Sequence, residues 1–162
     1  MVDAGGAAHS VGAEFVSAQR LSADVLVIGG ASLDRLYFGG RSKRSAGGAG
    51  MYTAAAAQRA GARAAMFAPL PQPMPEPLQP AAARLHWFGP QVPPVRLPRF
   101  EITHHGAGVA TLDAAEWGAE AELFPAGLPA DLSGCALVHI AALSSARRQL
   151  QFLAASRDRG AR

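Results

Sequence analysis

The stretch DVLVIGGASLDRLYFGGRSKRSAGGAGMYTAAAAQRAG, residues 24–61, decides the fold. It opens on an apolar run, Val25, Leu26, Val27 and Ile28, which Gly29 and Gly30 stop. A short run rich in β-branched residues and bounded by glycine predicts a buried strand. A second cluster, Gly47-Gly48-Ala49-Gly50, opens an alanine-rich segment that predicts a helix capped near Gly61. Asp34 and a basic turn over residues 41–44 lie between the two clusters. A carboxylate that follows a strand therefore stands near the exposed N–H donors of a helix start, as a small-ligand site requires.

Working outward, residues 33–38 predict a second short strand, Gly39-Gly40 a turn, and residues 42–46 its return. Residues 63–68 supply the next strand, so strand, helix and strand form a βαβ unit. Six prolines over residues 69–80 forbid a regular helix or a central strand, which leaves an extended loop. A brief helix is expected over 81–85, a strand over 86–88, and a proline-rich turn over 90–98. Residues 99–105 and 109–115 read as a hairpin joined by Gly106-Ala107-Gly108, with a third strand over 120–124. A turn or short helix is expected over 129–133. The segment ALVHIA, 136–141, reads as a further buried strand. Residues 145–159 read as an amphipathic helix with Leu150, Leu153 and Ala154 on its apolar face and Phe152 beside it. Residues 1–20 are small and polar and are expected to form a flexible tail, which leaves 21–162 as the domain. The fold class is α/β, a mainly parallel sheet flanked by helices.

The order of these features resembles the N-terminal half of the ribokinase-like (PfkB) carbohydrate kinases. Members open with a strand, a small-residue turn and an aspartate, here Gly29-Gly30-Ala31-Ser32-Leu33-Asp34, then a Gly-Gly-x-Gly cluster, here residues 47–50. The resemblance extends over residues 23–162, about half of a family member. It implies a small β lid over the substrate, with 35–46 and 99–124 as its candidate segments. It also implies substrate contacts by Asp34, Ser32, Gly47, Gly48, Ala49 and Tyr52. Ser32 and Tyr52 each replace the Asn usual at their places, and Tyr52 brings one hydroxyl and a ring where an amide is usual.

The family transfers the γ-phosphate of ATP, with Mg, to a sugar or related alcohol. Its catalytic base lies in a Gly-Ala-Gly-Asp type sequence, which is absent here. The chain is accordingly expected to be a truncated, substrate-side portion without catalytic residues of its own, inactive alone and a poor binder of ATP or Mg. A complementing chain or self-association through an uncovered sheet would complete it. The competing class is a non-catalytic α/β sugar-binding or interaction module.

Other chemistries lack their signatures. The 15 basic and 12 acidic residues give a net charge of only +3, too little to argue for nucleic acid. The lone Cys135 permits no internal disulfide and suits a reducing, cytoplasmic compartment. No apolar run is long enough to span a membrane. His104 and His105 are neighbours on a strand and point to opposite faces, so they form no chelate, and one of them is a candidate lid contact. His139 is expected to be a core histidine. No P-loop, Gly-x-Gly-x-x-Gly or Gly-x-Ser-x-Gly sequence is present at the required place.

Overall fold

The computed structural model describes residues 20–161; most of the expected tail therefore lies outside the described residues. In chain order the elements are β1 (Ala23–Ile28), β2 (Ser32–Phe38), β3 (Arg41–Gly47), α1 (Ala49–Arg59), β4 (Ala64–Phe67), β5 (Leu70–Pro71), α2 (Gln79–Ala82), β6 (His86–Phe88), β7 (Gln91–Val92), β8 (Arg99–Gly106), β9 (Val109–Glu116), β10 (Cys135–Ile140) and α3 (Ala146–Asp158). A wholly parallel sheet runs β10-β1-β4-β6. A second sheet runs β3-β2-β8-β9, and β5 and β7 pair as a short third.

β1 lies inside the parallel sheet, so both its faces must be apolar. Leu26, Val27 and Ile28 have no exposed surface. Leu26 and Ile28 enter one core cluster with Phe67, Leu123, Leu132 and Phe152. Val27 turns to the other face, where it meets Met51 and Ala54 of α1 and Met66 of β4. Phe67 joins the layers on the first side, with its ring 5.4 Å from Phe88 and 6.1 Å from Phe152.

The second sheet is built from two hairpins far apart in sequence. β2 and β3 pair antiparallel around Gly39-Gly40, and β8 and β9 pair antiparallel around Ala107. The hairpins meet through β2 and β8, which run parallel with Arg35 beside Glu101 and Tyr37 beside Thr103.

Several expectations are corrected. Residues 120–124 do not form a strand. Gly118–Glu122 is a 3₁₀ turn, and the Arg148 guanidinium of α3 donates to the carbonyls of Ala121 and Leu123 that a strand would have needed. The segment 136–141 is a strand, but it is not buried. Among the described residues β10 is the sheet edge with β1 as its single neighbour, and Leu137 is 51% exposed. His139 is likewise exposed and is no core histidine.

The face of α3 is also reversed. Ser145 caps it by accepting from the N–H of Arg148, and Phe152 and Ser156 are its buried residues, while Leu150 and Leu153 are open to solvent. The helix is oriented by one aromatic ring that fills the gap beside Phe67, and the leucines fall on the far side. In the proline-rich stretch, Leu70–Pro71 adds a strand pair and a helix begins at Gln79, earlier than expected, with Pro80 in its first turn, where the lost N–H has no helical partner in any case.

This packing gives a direct test. Phe152→Ala should lower stability by about 3–5 kcal/mol, the usual loss for emptying a buried aromatic site. Leu150→Ala should change it by less than about 0.5 kcal/mol, as exposed substitutions do. Urea denaturation of both variants would check the orientation of α3, and equal losses would contradict it.

Candidate functional site

The turn after β1 and the start of α1 meet backbone to backbone. A Cβ on Gly50 would collide with the carbonyl oxygen of Gly29 and stand 2.9 Å from the N of Gly30. Only glycine permits that approach. The N–H of Met51 then donates to the Gly30 carbonyl at 3.3 Å. Part of the glycine requirement is therefore internal: the cluster lets α1 rest on the β1 turn as well as bringing N–H groups toward a ligand.

The contact delivers Ser32 and Asp34 to the mouth of that junction. Both are buried, at 0% and 8% exposure. β2 places them two residues apart, on one face, and the cross-strand partner of Ser32 is Gly47. A Cβ on Gly47 would collide with Asp34 Oδ2 and stand 2.7 Å from Ser32 Oγ, so this glycine makes room for the carboxylate. Among the described residues, Ser32 Oγ and Asp34 Oδ1 have no well-formed hydrogen-bond partner. Burial raises the Asp34 carboxyl above its ordinary range, and the nearby Ser32 hydroxyl and Phe100 N–H offset only part of that. A buried polar atom without a partner costs about 1–3 kcal/mol. A ligand hydroxyl that donates to Asp34 and exchanges a hydrogen bond with Ser32 would recover it.

The other expected residues are placed around this pair. Gly48 lies between the junction and α1, with φ 103, and is that helix's N-cap. Ala49 is exposed on the first turn of α1. Tyr52 is 59% exposed, and its hydroxyl donates to the carbonyl of Ala46 at 2.9 Å, which ties the end of β3 to α1. It is neither a core residue nor a free polar group. His104 and His105 stand on β8 away from the pair. His105 Nε2 lies 2.8 Å from Thr111 Oγ1, and His104 borders an open groove of about 490 Å³ on the second sheet. Cys135 is buried, and burial pushes its thiol up, away from reactivity.

The sequence reading missed Glu120. Its carboxyl is buried in the turn after β9 and packs against Gly30, where a Cβ would collide with Glu120 Oε2. Burial pushes its pKa up to about 7, with the Gly30 N–H pulling the other way. Nothing in the acidic segment AEWGAEAE distinguishes it, since Glu116 and Glu122 on either side are exposed. No group of three His, Cys, Asp or Glu side chains converges on a metal position among the described residues.

Glu120 generates a prediction. The folded protein holds its proton to about pH 7, whereas an unfolded chain releases it near the ordinary carboxyl pKa, about 4.3. Stability present below the unfolded value is thus lost as pH rises through the folded one. Glu120→Gln should match the unsubstituted protein at pH 4 and exceed it by on the order of 3–4 kcal/mol at pH 8. Urea midpoints at the two pH values test this, and a pH-independent difference would refute it.

No family model and no curated protein matches the chain. Solved structures do. A ribokinase from Giardia lamblia superposes with a TM-score of 0.62 at 18% identity, over 87% of this chain and 50% of that one. A Burkholderia thailandensis nucleoside kinase in complex with inosine gives 0.62 at 13% identity, over 85% and 50%. An adenosine kinase from Sinorhizobium meliloti gives 0.59 at 20% identity, over 74% and 47%. The chain thus spans about half the length, or less, of the kinases it matches. No helix among the described residues is long and apolar enough to cross a membrane. The parallel sheet, the glycine junction and the second sheet together are the N-terminal half of a ribokinase-like fold.

Proposed function

We propose that this chain is the substrate-side part of a ribokinase-like kinase and binds a sugar or a related alcohol through Asp34 and Ser32. The observation that carries the reading is that Ser32 Oγ and Asp34 Oδ1, on the two buried side chains that crowd Gly47, have no hydrogen-bond partner among the described residues. An ionised carboxylate accepts two or more hydroxyl donors, and a serine hydroxyl both gives and takes, so vicinal hydroxyls match the pair. The second sheet acts as the lid: β2 carries Ser32 and Asp34 at its base, and β8 brings Phe100 beside the carboxylate. Tyr52, strapped to Ala46, closes the side on which the α1 N-terminus stands.

Solved neighbours include kinases, one of them a ribokinase in complex with ADP, which supports a lineage activity of transferring a nucleotide's terminal phosphoryl group to a substrate hydroxyl. The residues described here do not fit the nucleotide: they offer no Gly-Ala-Gly-Asp sequence and no acidic cluster for a metal. Phosphoryl transfer depends on positioning and charge stabilisation by such groups, so no step is assigned to this chain beyond holding and orienting the acceptor hydroxyl. The edge of β10, which carries the exposed Leu137 and has no further strand beside it among the described residues, is where another chain or a second copy would add a strand.

Calorimetry with a panel of monosaccharides and nucleosides tests the reading. Asp34→Ala should weaken binding about tenfold to a hundredfold, the loss of a hydrogen bond to a charged group of about 1.5–3 kcal/mol. The 162-residue chain alone should release no ADP above background with any of these acceptors. Unchanged affinity in a folded Asp34→Ala variant would overturn the site, and robust turnover would overturn the division of labour.

A further inference from the structure

The strand opposite Asp34 carries cations that the proposed site has not yet used. In the β2–β3 hairpin Ser45 pairs with Asp34, Lys43 with Leu36 and Arg41 with Phe38. Cross-strand partners share a sheet face, as do alternate residues along a strand, so Lys43 and Arg41 stand on the face from which Asp34 projects. Arg35 and Arg44 stand on the opposite face, where Arg35 is engaged with Tyr37 and Glu101. Lys43 and Arg41 are exposed and have no carboxylate within ion-pair distance among the described residues. Arg41, at the hairpin tip, also borders the open groove that wraps that end of the sheet and takes in Tyr37 and Glu101 of the opposite face, which leaves Lys43 as the cation committed to the Asp34 side.

Distance then decides what Lys43 can reach. It lies two residues along β3 from the row of Asp34, about 7 Å at the rise of an extended strand. That is the span of one monosaccharide. A substrate whose hydroxyls are held by Asp34 and Ser32 presents its far end to the Lys43 ammonium, with Arg41 beyond. Leu36 and Phe38 floor the same path, and neither offers a hydrogen bond to a neutral hydroxyl there.

We propose, on the reading that Asp34 holds substrate hydroxyls, that the substrate is anionic: its end remote from Asp34 bears an oxyanion, a phosphate or a carboxylate, recognised by Lys43 with help from Arg41. Edge-strand cations commonly serve only to repel other strands. Arg44, an exposed cation on the opposite face of the same strand, stands away from the Asp34 side, so it is the internal control.

The test is calorimetry on the 162-residue chain with matched ligands: ribose against ribose 5-phosphate, fructose against fructose 6-phosphate, and glucose against glucuronate. At least one anionic member should bind about fivefold tighter than its neutral partner, the upper range for an exposed ion pair. The preference should shrink as salt rises from 0.05 to 0.5 M. Lys43→Gln should abolish it and leave neutral-sugar binding unchanged, and Arg44→Gln should leave it intact. Whether a phosphate or a carboxylate is preferred identifies the anion. Neutral sugars bound as tightly as their anionic partners, with binding still dependent on Asp34, would overturn this inference alone. A preference lost equally in Arg44→Gln would reduce it to a general charge effect and also overturn it. Failure of every ligand to bind, or binding indifferent to Asp34→Ala, would overturn the site itself.

Discussion

Two stretches of backbone touch where α1 begins on the turn after β1, and no side chain could be placed between them. Gly50 meets the Gly29 carbonyl, Gly48 meets the Gly30 carbonyl, and the Met51 N–H closes the junction. The consequences spread in both directions. Toward the core, α1 is drawn close enough for Met51 and Ala54 to cover Val27. Toward solvent, β2 leaves the turn at an angle that sets Ser32 and Asp34 beside Gly47. The site is thus an outgrowth of a packing constraint, and its polar groups inherit the burial of that junction.

That inheritance explains the electrostatics. Ser32, Asp34 and Glu120 are buried polar groups in or beside that junction, and a protein seldom buries a carboxyl without paired charge or hydrogen bonds. Glu120 resolves the tension by holding its proton. Asp34 is less enclosed and keeps an oxygen free. Glu120 packs against Gly30 and Asp34 against Gly47, and the two carboxyls differ in how far their surroundings enclose them.

Much of the fold was legible because several signals agreed locally. Val25–Ile28 is apolar on both faces, glycines bracket it, and alanines follow the second cluster, so strand, turn and helix are each specified twice over. The β2–β3 and β8–β9 hairpins announced themselves through their glycine turns. That Asp34 and Gly47 would come together beside the start of α1 was legible for the same reason. What could not be read depended on distant partners. Leu150 and Leu153 look like a buried stripe, yet Phe152 wins because Phe67 offers a gap that no local pattern encodes. The segment 136–141 is as apolar as a central strand and lies at an edge, since strand order is a property of the whole sheet. Residues 120–124 have strand-like composition, but Arg148, more than twenty residues on, claims their carbonyls. Glu120 is invisible among neighbouring acids because only the approach of Gly30 makes it special.

The sheet order has a further consequence, for the route by which the chain folds. β1, α1 and β4 are near neighbours in sequence and close only short loops. β2 must wait for β8, and β1 pairs Ala23 with Cys135, across most of the chain. Closing long loops is entropically costly before the contacts they enable can compensate, so topologies dominated by distant pairings fold slowly. As the polypeptide emerges from the ribosome, β1 therefore has one edge occupied and the other vacant until β10 has been synthesised. The glycine junction is made entirely of early elements. It can assemble first and cover one apolar face of β1 during that interval, so the contact that sets Ser32 and Asp34 in place is available before the late strands arrive.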